Sequence, residues 1–124
     1  MNNPTNLLYS KTHEWVEFTS DTTAKVGLTD YAQKSLGGIV FVNLPMEGDD
    51  VTAGESLGDV ESVKAVSDIV SPISGTVSAV NETVLDAPQG INDAPYDAWL
   101  VEVSDITGKE ELLDAAAYSA FCGE

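Results

Sequence analysis

Short alternations of apolar and polar residues, separated by turn-forming residues, run along most of the chain. Alternation with a period of two places successive side chains on opposite faces of a strand, so these segments predict β-strands. Segments rich in Gly, Pro, Ser, Thr and Asp lie between them and predict turns. The predicted strands cover residues 15–18, 24–28, 39–45, 57–62 and 98–103, and a further alternating segment covers 75–84.

Two segments carry helix signals instead. A short helix is predicted at 29–36, because a Thr-Asp pair can cap its first amides and Gly37 can take the left-handed conformation after its end. A second helix is predicted at the C-terminus, with Asp114 as N-cap and Gly123 just past the end. We expect its aromatic residues to pack on the strands. The breaker-rich segment 87–97 predicts a loop that contains at most one helical turn.

A weak internal repeat relates two of the predicted strands. Residues 38–44 and 75–84 both begin with Gly, continue with alternating apolar positions and reach an Asn. The two segments lie on opposite sides of Lys64 in the sequence. This arrangement fits two similar half-sheets that exchange strands through the segment around Lys64.

Lys64 is isolated among apolar and acidic residues. The nearest other basic residues are Lys34 and Lys109. The β-branched segment 58–75 around it predicts two strands joined by a short reversal, with Lys64 at the reversal and exposed to water. Judged on these features alone, a charge that protects a sheet edge from aggregation is the simpler explanation for this lysine.

The formal charge of −16 is the strongest compositional signal, since the chain has five lysines and no arginine. Nucleic acids and anionic membranes are bound by clustered cations, so both are disfavoured as partners. An acidic surface keeps a protein soluble and can steer it toward basic faces on other proteins. Adaptation to salt and steering toward partners are both compatible with this composition.

The scarcity of chemically reactive residues argues against an enzyme. Cys122 is the only cysteine, which rules out an internal disulfide. His13 is the only histidine, so neither a histidine metal cluster nor a catalytic triad is expected, and His13 is interpreted as a structural residue. The N-terminus lacks a basic and an apolar region of the kind found in signal peptides, and no long apolar segment follows. These features predict a cytoplasmic protein.

The sequence Glu-Ser-Val-Lys-Ala-Val-Ser-Asp at 61–68, followed by Ser-Pro-Ile-Ser-Gly at 71–75, resembles the lipoyl-lysine hairpin of bacterial glycine cleavage system H proteins. The resemblance extends in order and spacing over nearly the whole chain. The one visible departure is the replacement of basic surface positions by acidic or neutral residues, which bears on partner affinity and salt dependence. Further similar segments lie at 13–16, 28–33, 39–45, 92–96, 99–100 and 113–118.

The resemblance implies a mainly β fold. It is the flattened barrel-sandwich hybrid of biotinyl and lipoyl carriers, in which short helices, one of them C-terminal, flank two pseudo-symmetric half-sheets. Residues 1–124 would form a single lipoyl-carrier domain with an N-terminal hairpin extension and a C-terminal helix.

The resemblance also implies a carrier protein with no catalytic residues of its own. Lipoate would be bound covalently to Lys64. The arm would take the aminomethyl group of glycine from the pyridoxal-phosphate glycine decarboxylase to the tetrahydrofolate-dependent aminomethyltransferase, and dihydrolipoamide dehydrogenase would reoxidise it. A lipoate-attaching enzyme would recognise the hairpin flanks Glu61, Val63 and Ala65.

The loaded arm would carry an amine, and a cleft with carboxylates beside apolar surface could shield it from water. Thr12, Glu14 and Asp68 are the residues expected near this cleft. The alternative explanation for all three is that they are ordinary polar side chains in contact with water.

Three other kinds of protein have a similar lysine hairpin. In a biotin carrier, methionines usually flank the lysine, whereas Val63 and Ala65 do so here. Lipoyl domains of 2-oxoacid dehydrogenase complexes commonly have Asp before the lysine and sit on long linkers. A non-carrier module, or one that relays lipoyl groups to other complexes, would have the same hairpin, and the sequence leaves this alternative open.

Overall fold

The computed structural model describes residues 2–123, which form two antiparallel β-sheets and four short helices. The strands are β1 (Leu8–Tyr9), β2 (Glu14–Phe18), β3 (Ala24–Leu28), β4 (Ile39–Asn43), β5 (Asp50–Val51), β6 (Ser56–Ser62), β7 (Val66–Val70), β8 (Ile73–Val80) and β9 (Val101–Lys109). The helices are α1 (Asp30–Leu36), α2 (Glu82–Asp86), α3 (Gly90–Asp93) and α4 (Ala115–Phe121).

The larger sheet has the strand order β1-β2-β3-β9-β8-β5. Its N-terminal part is the predicted hairpin, in which Glu14 lies opposite Leu28 and Phe18 opposite Ala24. Strand β3 pairs with β9, so the hairpin is joined to the C-terminal strand of the sheet. Because Glu14 lies opposite Leu28, the start of β2 lies beside the beginning of α1.

The smaller sheet has the strand order β4-β6-β7, and β6 and β7 form the hairpin that ends at Lys64. Strand β4 contains a bulge, because Ile39 pairs with Ser62 and Phe41 with Glu61, which leaves Val40 without a partner. A bulge of this kind twists and bends an edge strand.

The apolar side chains of both sheets and of the helices form the core. Small-sheet residues such as Val60 and Ile69 are almost completely buried against Leu28, Leu100 and Ile91. Burying a side chain of this size stabilises the fold by about 1.5–3 kcal/mol. A separate group of buried residues lies between β1, β2 and α4. Its members are Leu7, Tyr9, Trp15, Ala115 and Tyr118.

The predicted fold class is confirmed: the chain is mainly β, with two antiparallel sheets and short helices that include a C-terminal one. The two sheets remain separate within residues 2–123, so the strands do not close into a barrel. The two segments of the sequence repeat fall on β4 and β8, one in each sheet.

The helix ends follow the sequence signals. The Thr29 hydroxyl accepts from the Ala32 amide at the start of α1, and Gly37 has a φ of 80° at its end. Asp114 caps α4 by accepting from the Ala117 amide.

Two strands differ from the prediction by more than two residues at one end or both. The last strand begins at Val101 and continues to Lys109, whereas the sequence pattern predicted 98–103. The alternating segment 75–84 ends as a strand at Val80, because the Asn81 side chain accepts from the Thr83 amide and starts α2.

Candidate functional site

Lys64 lies at the exposed tip of the β6–β7 hairpin, as predicted. The Ser62 amide donates to the Ala65 carbonyl oxygen at 2.8 Å and closes the turn. The Ser62 hydroxyl oxygen accepts from the amides of Lys64 at 3.3 Å and Ala65 at 3.1 Å. These bonds fix the backbone on both sides of Lys64, while no ion pair holds its ammonium among residues 2–123. The turn therefore presents a free lysine from a defined backbone.

The hairpin tip rests on the two glycines that follow α1. The Val63 amide donates to the Gly38 carbonyl oxygen at 3.0 Å. A Cβ atom on Gly37 would lie 3.6 Å from the Lys64 Cε, so the lysine stem passes directly over this glycine. Asn92 holds the glycines in place, since its side chain donates to the Gly37 carbonyl oxygen at 2.9 Å.

Several exposed apolar side chains lie on the strands and the turn next to Lys64. Phe41, Glu61 and Val66 lie side by side on β4, β6 and β7. Two members of this row, Phe41 and Val66, are apolar. These two and the neighbouring Val40 and Val63 are 48–76% exposed. We call Val40, Phe41, Val63 and Val66 the apolar collar. Apolar side chains grouped in this way are typical of surfaces that contact other proteins.

A cleft of about 140 Å³ opens between β7, the start of β2 and α1. Thr12, Glu14 and Asp68, the three residues expected near such a cleft, all line it. Strand β7 forms one wall, so the cleft lies along the same hairpin that carries Lys64. The other lining residues are His13, Leu28, Tyr31, Ala32, Ser35, Leu36, Val60 and Ser67.

Glu14 is a buried carboxyl group at the floor of this cleft, with 1% of its surface exposed. Its Oε1 atom accepts from the hydroxyls of Ser10, at 2.8 Å, and Thr12. Its Oε2 atom accepts from the Val70 amide at 3.3 Å. Burial raises the pKa of Glu14 to about 7, although these hydrogen bonds favour the carboxylate. A cationic group in the cleft would stabilise the ionised form.

The family model described as Glycine cleavage H-protein matches residues 7–124 of the chain. This chain belongs to the glycine cleavage H-protein family. Membership confirms the resemblance found in the sequence. It makes the chain the lipoyl-carrier component of glycine cleavage, and not one of the enzymes.

Individual relatives of the family are similar over almost their full length. The glycine cleavage system H protein of Lachnoclostridium phytofermentans is 61% identical over 116 residues, which cover 94% of this chain and 91% of the relative. That of Acidobacterium capsulatum is 52% identical over 123 residues, which cover 98% of this chain and 95% of the relative. The crystal structure of a glycine cleavage system H protein from Mycobacterium marinum matches with a TM-score of 0.93 at 42% identity, and the match covers 98% and 99% of the two chains.

The structure divides the predicted site residues of this H-protein family member into two groups. Glu61, Val63 and Ala65 lie at the hairpin tip with Lys64, whereas Thr12, Glu14 and Asp68 lie in the cleft. The roles assigned to both groups stay predictions.

Sequence reasoning missed several residues of the site. Ser10 binds Glu14, and a signal for it was present, because Ser10, Thr12 and Glu14 recur every second residue. His13 was interpreted only as structural, yet it lines the cleft. The contact of Gly37 with Lys64 left no local signal, because it joins separate parts of the chain.

The part of the chain that the structure describes offers neither a metal site nor a membrane-spanning helix. No group of three or more His, Cys, Asp or Glu side chains there could hold a metal ion. Among the same residues, no helix has the length and apolar character needed to cross a membrane.

Proposed function

We propose that Lys64 carries a lipoyl group in amide linkage and that this arm is the working part of the carrier. The single observation that supports this most directly is the free lysine at the end of a fixed turn in a member of the H-protein family. Acylation of Nζ removes a charge that has no ion-pair partner within residues 2–123, so modification would not leave a buried acid unpaired. The hairpin tip is therefore suited to carry a lipoyl group on Lys64.

When bound, a lipoyl group supplies a dithiolane that can be reductively aminomethylated with the aminomethyl group of glycine and later reoxidised. The chain's part is to hold the attachment point. The Ser62 turn and the Gly38 carbonyl oxygen fix the backbone around Lys64, so the arm starts from one position and its reach is constant. A tethered group is presented to successive active sites at a high effective concentration.

The partners proposed for the arm are glycine decarboxylase, aminomethyltransferase and dihydrolipoamide dehydrogenase. A lipoate-attaching enzyme must approach the hairpin more closely than these partners, because it acts on the Lys64 Nζ atom itself. The hairpin flanks Glu61, Val63 and Ala65 and the apolar collar would lie under that enzyme. The absence of basic residues near Lys64 in the sequence favours partner faces with cations opposite Glu61 and Asp59.

The cleft is proposed to receive the amine at the end of the loaded arm. An amine is cationic near neutral pH, and the cleft offers the carboxyl groups of Glu14 and Asp68 and the hydroxyl of Thr12. Leu28, Leu36 and Val60 supply apolar walls that exclude water. Pairing with the ammonium would lower the proton affinity of Glu14 and hold the amine in its charged form.

The remaining features are proposed from the sequence and the relatives. Residues 1–124 are expected to form one carrier domain. The relatives named above are bacterial, which supports a bacterial protein, and a cytoplasmic location stays a prediction.

The first prediction concerns the attachment site. Coexpression with lipoate and a lipoate-attaching enzyme should raise the intact mass by one lipoyl group in the parent, and Lys64→Arg should abolish the increase. Lys109→Arg is the matched control, since it removes another lysine and should leave the increase unchanged. An unchanged mass in the parent would reject a lipoyl carrier, and only an interaction module of the same fold would remain. If the mass of the parent does rise, exchange of carbon dioxide with glycine by the decarboxylase separates a carrier of glycine cleavage from a relay for other complexes.

The second prediction concerns the cleft. The lipoylated carrier is loaded by the decarboxylase and freed of it, and ammonia release is followed without the transferase. Glu14→Ala and Asp68→Ala should release ammonia faster than the parent, because the ammonium loses a carboxylate partner and water enters. Glu47→Ala, which removes an exposed carboxylate outside the cleft, should match the parent. Equal rates in all four proteins would show that the cleft does not shield the amine.

A further inference from the structure

His13 occupies a position that its surroundings define closely. It has a φ of 73°, a left-handed conformation that is uncommon for a residue with a side chain. It lies between the cleft residues Thr12 and Glu14 and lines the cleft itself. Its ring stacks on the ring of Tyr31, with 4.3 Å between centroids. His13 is thus part of the cleft wall and faces any group that enters.

A short relay of hydrogen bonds connects His13 to the first turn of α1. The His13 Nδ1 atom lies 2.7 Å from the Tyr118 hydroxyl. The same hydroxyl lies 2.8 Å from Thr29 Oγ1, and Thr29 Oγ1 accepts from the Ala32 amide at 3.2 Å. We call Thr29, Tyr118 and His13 the relay. It joins α4, which carries Tyr118, to the cleft.

The donor and the acceptor of each hydrogen bond in the relay follow from counting the available hydrogens. Thr29 is fully buried, and within residues 2–123 its hydroxyl hydrogen has no acceptor other than the Tyr118 oxygen. Thr29 must therefore donate to Tyr118. Tyr118 can then direct its own hydrogen to His13 Nδ1 at 2.7 Å, which is a better acceptor than the nearby Cys122 sulfur, and burial raises the pKa of Tyr118 and keeps this hydrogen in place.

An Nδ1 atom that accepts a hydrogen bond carries no proton. The neutral imidazole then has its proton on Nε2. If Nδ1 were protonated, it and the Tyr118 hydroxyl would both be donors, and the hydrogen bond from Tyr118 would be lost. Burial lowers the pKa of His13 and therefore also favours the neutral imidazole.

We propose that Thr29 and Tyr118 are positioning residues that hold His13 as a neutral imidazole with its proton on Nε2, so that the cleft stays selective for a cationic amine. The benefit of a neutral His13 depends on the proposed function, since it presupposes that an ammonium enters the cleft. An imidazolium at this place would pair with a cleft carboxylate and compete with that ammonium.

The groups that face His13 come from every element around the cleft. Strand β2 contributes Glu14, β7 contributes Asp68 and α1 contributes Tyr31. Helix α4 contributes Tyr118, and the Cys122 thiol approaches the same hydroxyl as a weak hydrogen-bonding group. The cleft lining contains no lysine, so His13 is its one residue able to become a cation among those that the structure describes.

Nuclear magnetic resonance of the unmodified protein tests the tautomer directly, because His13 is the only histidine and its signals need no assignment. The ¹⁵N shifts of the parent at pH 7–8 should show a protonated Nε2 and an unprotonated Nδ1. This measurement needs no variant. A parent with the proton on Nδ1 would overturn the proposal.

A variant then tests the relay. Tyr118→Phe removes the donor to Nδ1 and should raise the midpoint of the His13 titration by roughly half a pH unit or more, the equivalent of one hydrogen bond. Tyr9→Phe is the matched control, because it removes the hydroxyl of the neighbouring stacked ring, which donates to Pro4, and leaves His13 untouched. An unchanged midpoint in folded Tyr118→Phe would contradict the relay.

The effect on the cleft is read from ammonia release by the loaded carrier. Tyr118→Phe should release ammonia faster than the parent at a pH below the measured midpoint of its own His13 titration, and at the parental rate at pH 8, where the imidazole is neutral in both proteins. Equal acceleration at both pH values would indicate lost packing and would reject the electrostatic role. If Lys64 is not lipoylated, the proposed function fails, while the tautomer and the titration of His13 still decide the relay.

Discussion

At the scale of single residues, Glu14 combines deep burial with three hydrogen bonds to one carboxyl group. Its pKa is raised from an ordinary 4.5 to about 7. The native state therefore binds the proton more tightly than the unfolded chain. The stability that this provides is complete below pH 4.5 and is lost as the pH rises through 7.

We expect Glu14→Gln to remove this pH dependence. The free energy of unfolding of the parent minus that of Glu14→Gln should fall by up to about 3 kcal/mol between pH 4.5 and pH 8. Urea unfolding at both pH values gives the two free energies. Glu17→Gln, on the same strand but partly exposed, controls for the loss of one negative charge. A parent and a Glu14→Gln variant that change in parallel would contradict the pKa shift.

The site could be predicted only partly from the sequence, for reasons that differ between residues. Lys64 stands out because it is isolated in a β-branched segment with turn formers beside it. Glu14 and Asp68 lie 54 positions apart in the sequence, and no periodicity relates them, so only the family resemblance suggested a common cleft. Composition argued against a role for His13, since a lone histidine has no second metal ligand beside it. Its place in the site depends on Tyr118, which lies in α4 and is 105 residues away in the sequence.

At the scale of elements, the β6–β7 hairpin depends on close contact with β4 at its base. Gly58 makes this contact, because any Cβ at this position would overlap the Asn43 carbonyl oxygen. Backbone atoms cannot move aside as the end of a flexible side chain can, so the two strands would have to separate.

Gly58→Ala should therefore destabilise the protein by about 1–3 kcal/mol, the usual effect of forcing extra atoms into a packed site. Gly90→Ala is the matched control, since a Cβ there meets no atom within 4 Å and the residue is the first of α3. It should be neutral or slightly stabilising. Thermal unfolding of the two variants beside the parent measures both effects. Equal melting temperatures for Gly58→Ala and the parent would show that β6 can shift without loss.

Most elements could be predicted because their signals are local. Alternation identified β2, β3, β4 and β6, and cap residues identified α1 and α4. The errors occur where tertiary pairing decides. Strand β9 extends to Lys109 because β8 pairs with it as far as Ile73, and the alternation within β9 gave no sign of that partner. The two-residue strand β5 exists only because Asp50 and Val51 pair with β8.

At the scale of the whole molecule, a net charge of −16 on 124 residues means that acidic side chains repel one another over the surface. Only two ion pairs between side chains offset this repulsion within residues 2–123, Lys11 with Glu111 and Lys34 with Asp30. Both are at least partly exposed, and such pairs contribute little. Cations in solution must therefore provide much of the screening.

The folded state should accordingly gain stability from salt. The screening length falls from about 10 Å at 0.1 M to about 3 Å at 1 M. We expect the melting temperature to rise by roughly 5 °C over this range in NaCl, the equivalent of about 1 kcal/mol. A variant that combines Glu47→Gln, Glu55→Gln and Asp86→Asn keeps the fold but carries three fewer negative charges. If repulsion is the cause, this variant should melt higher than the parent at 0.1 M, and the difference should shrink at 1 M. Equal responses of variant and parent to salt would contradict the repulsion argument and would assign the effect to a general action of salt on apolar burial.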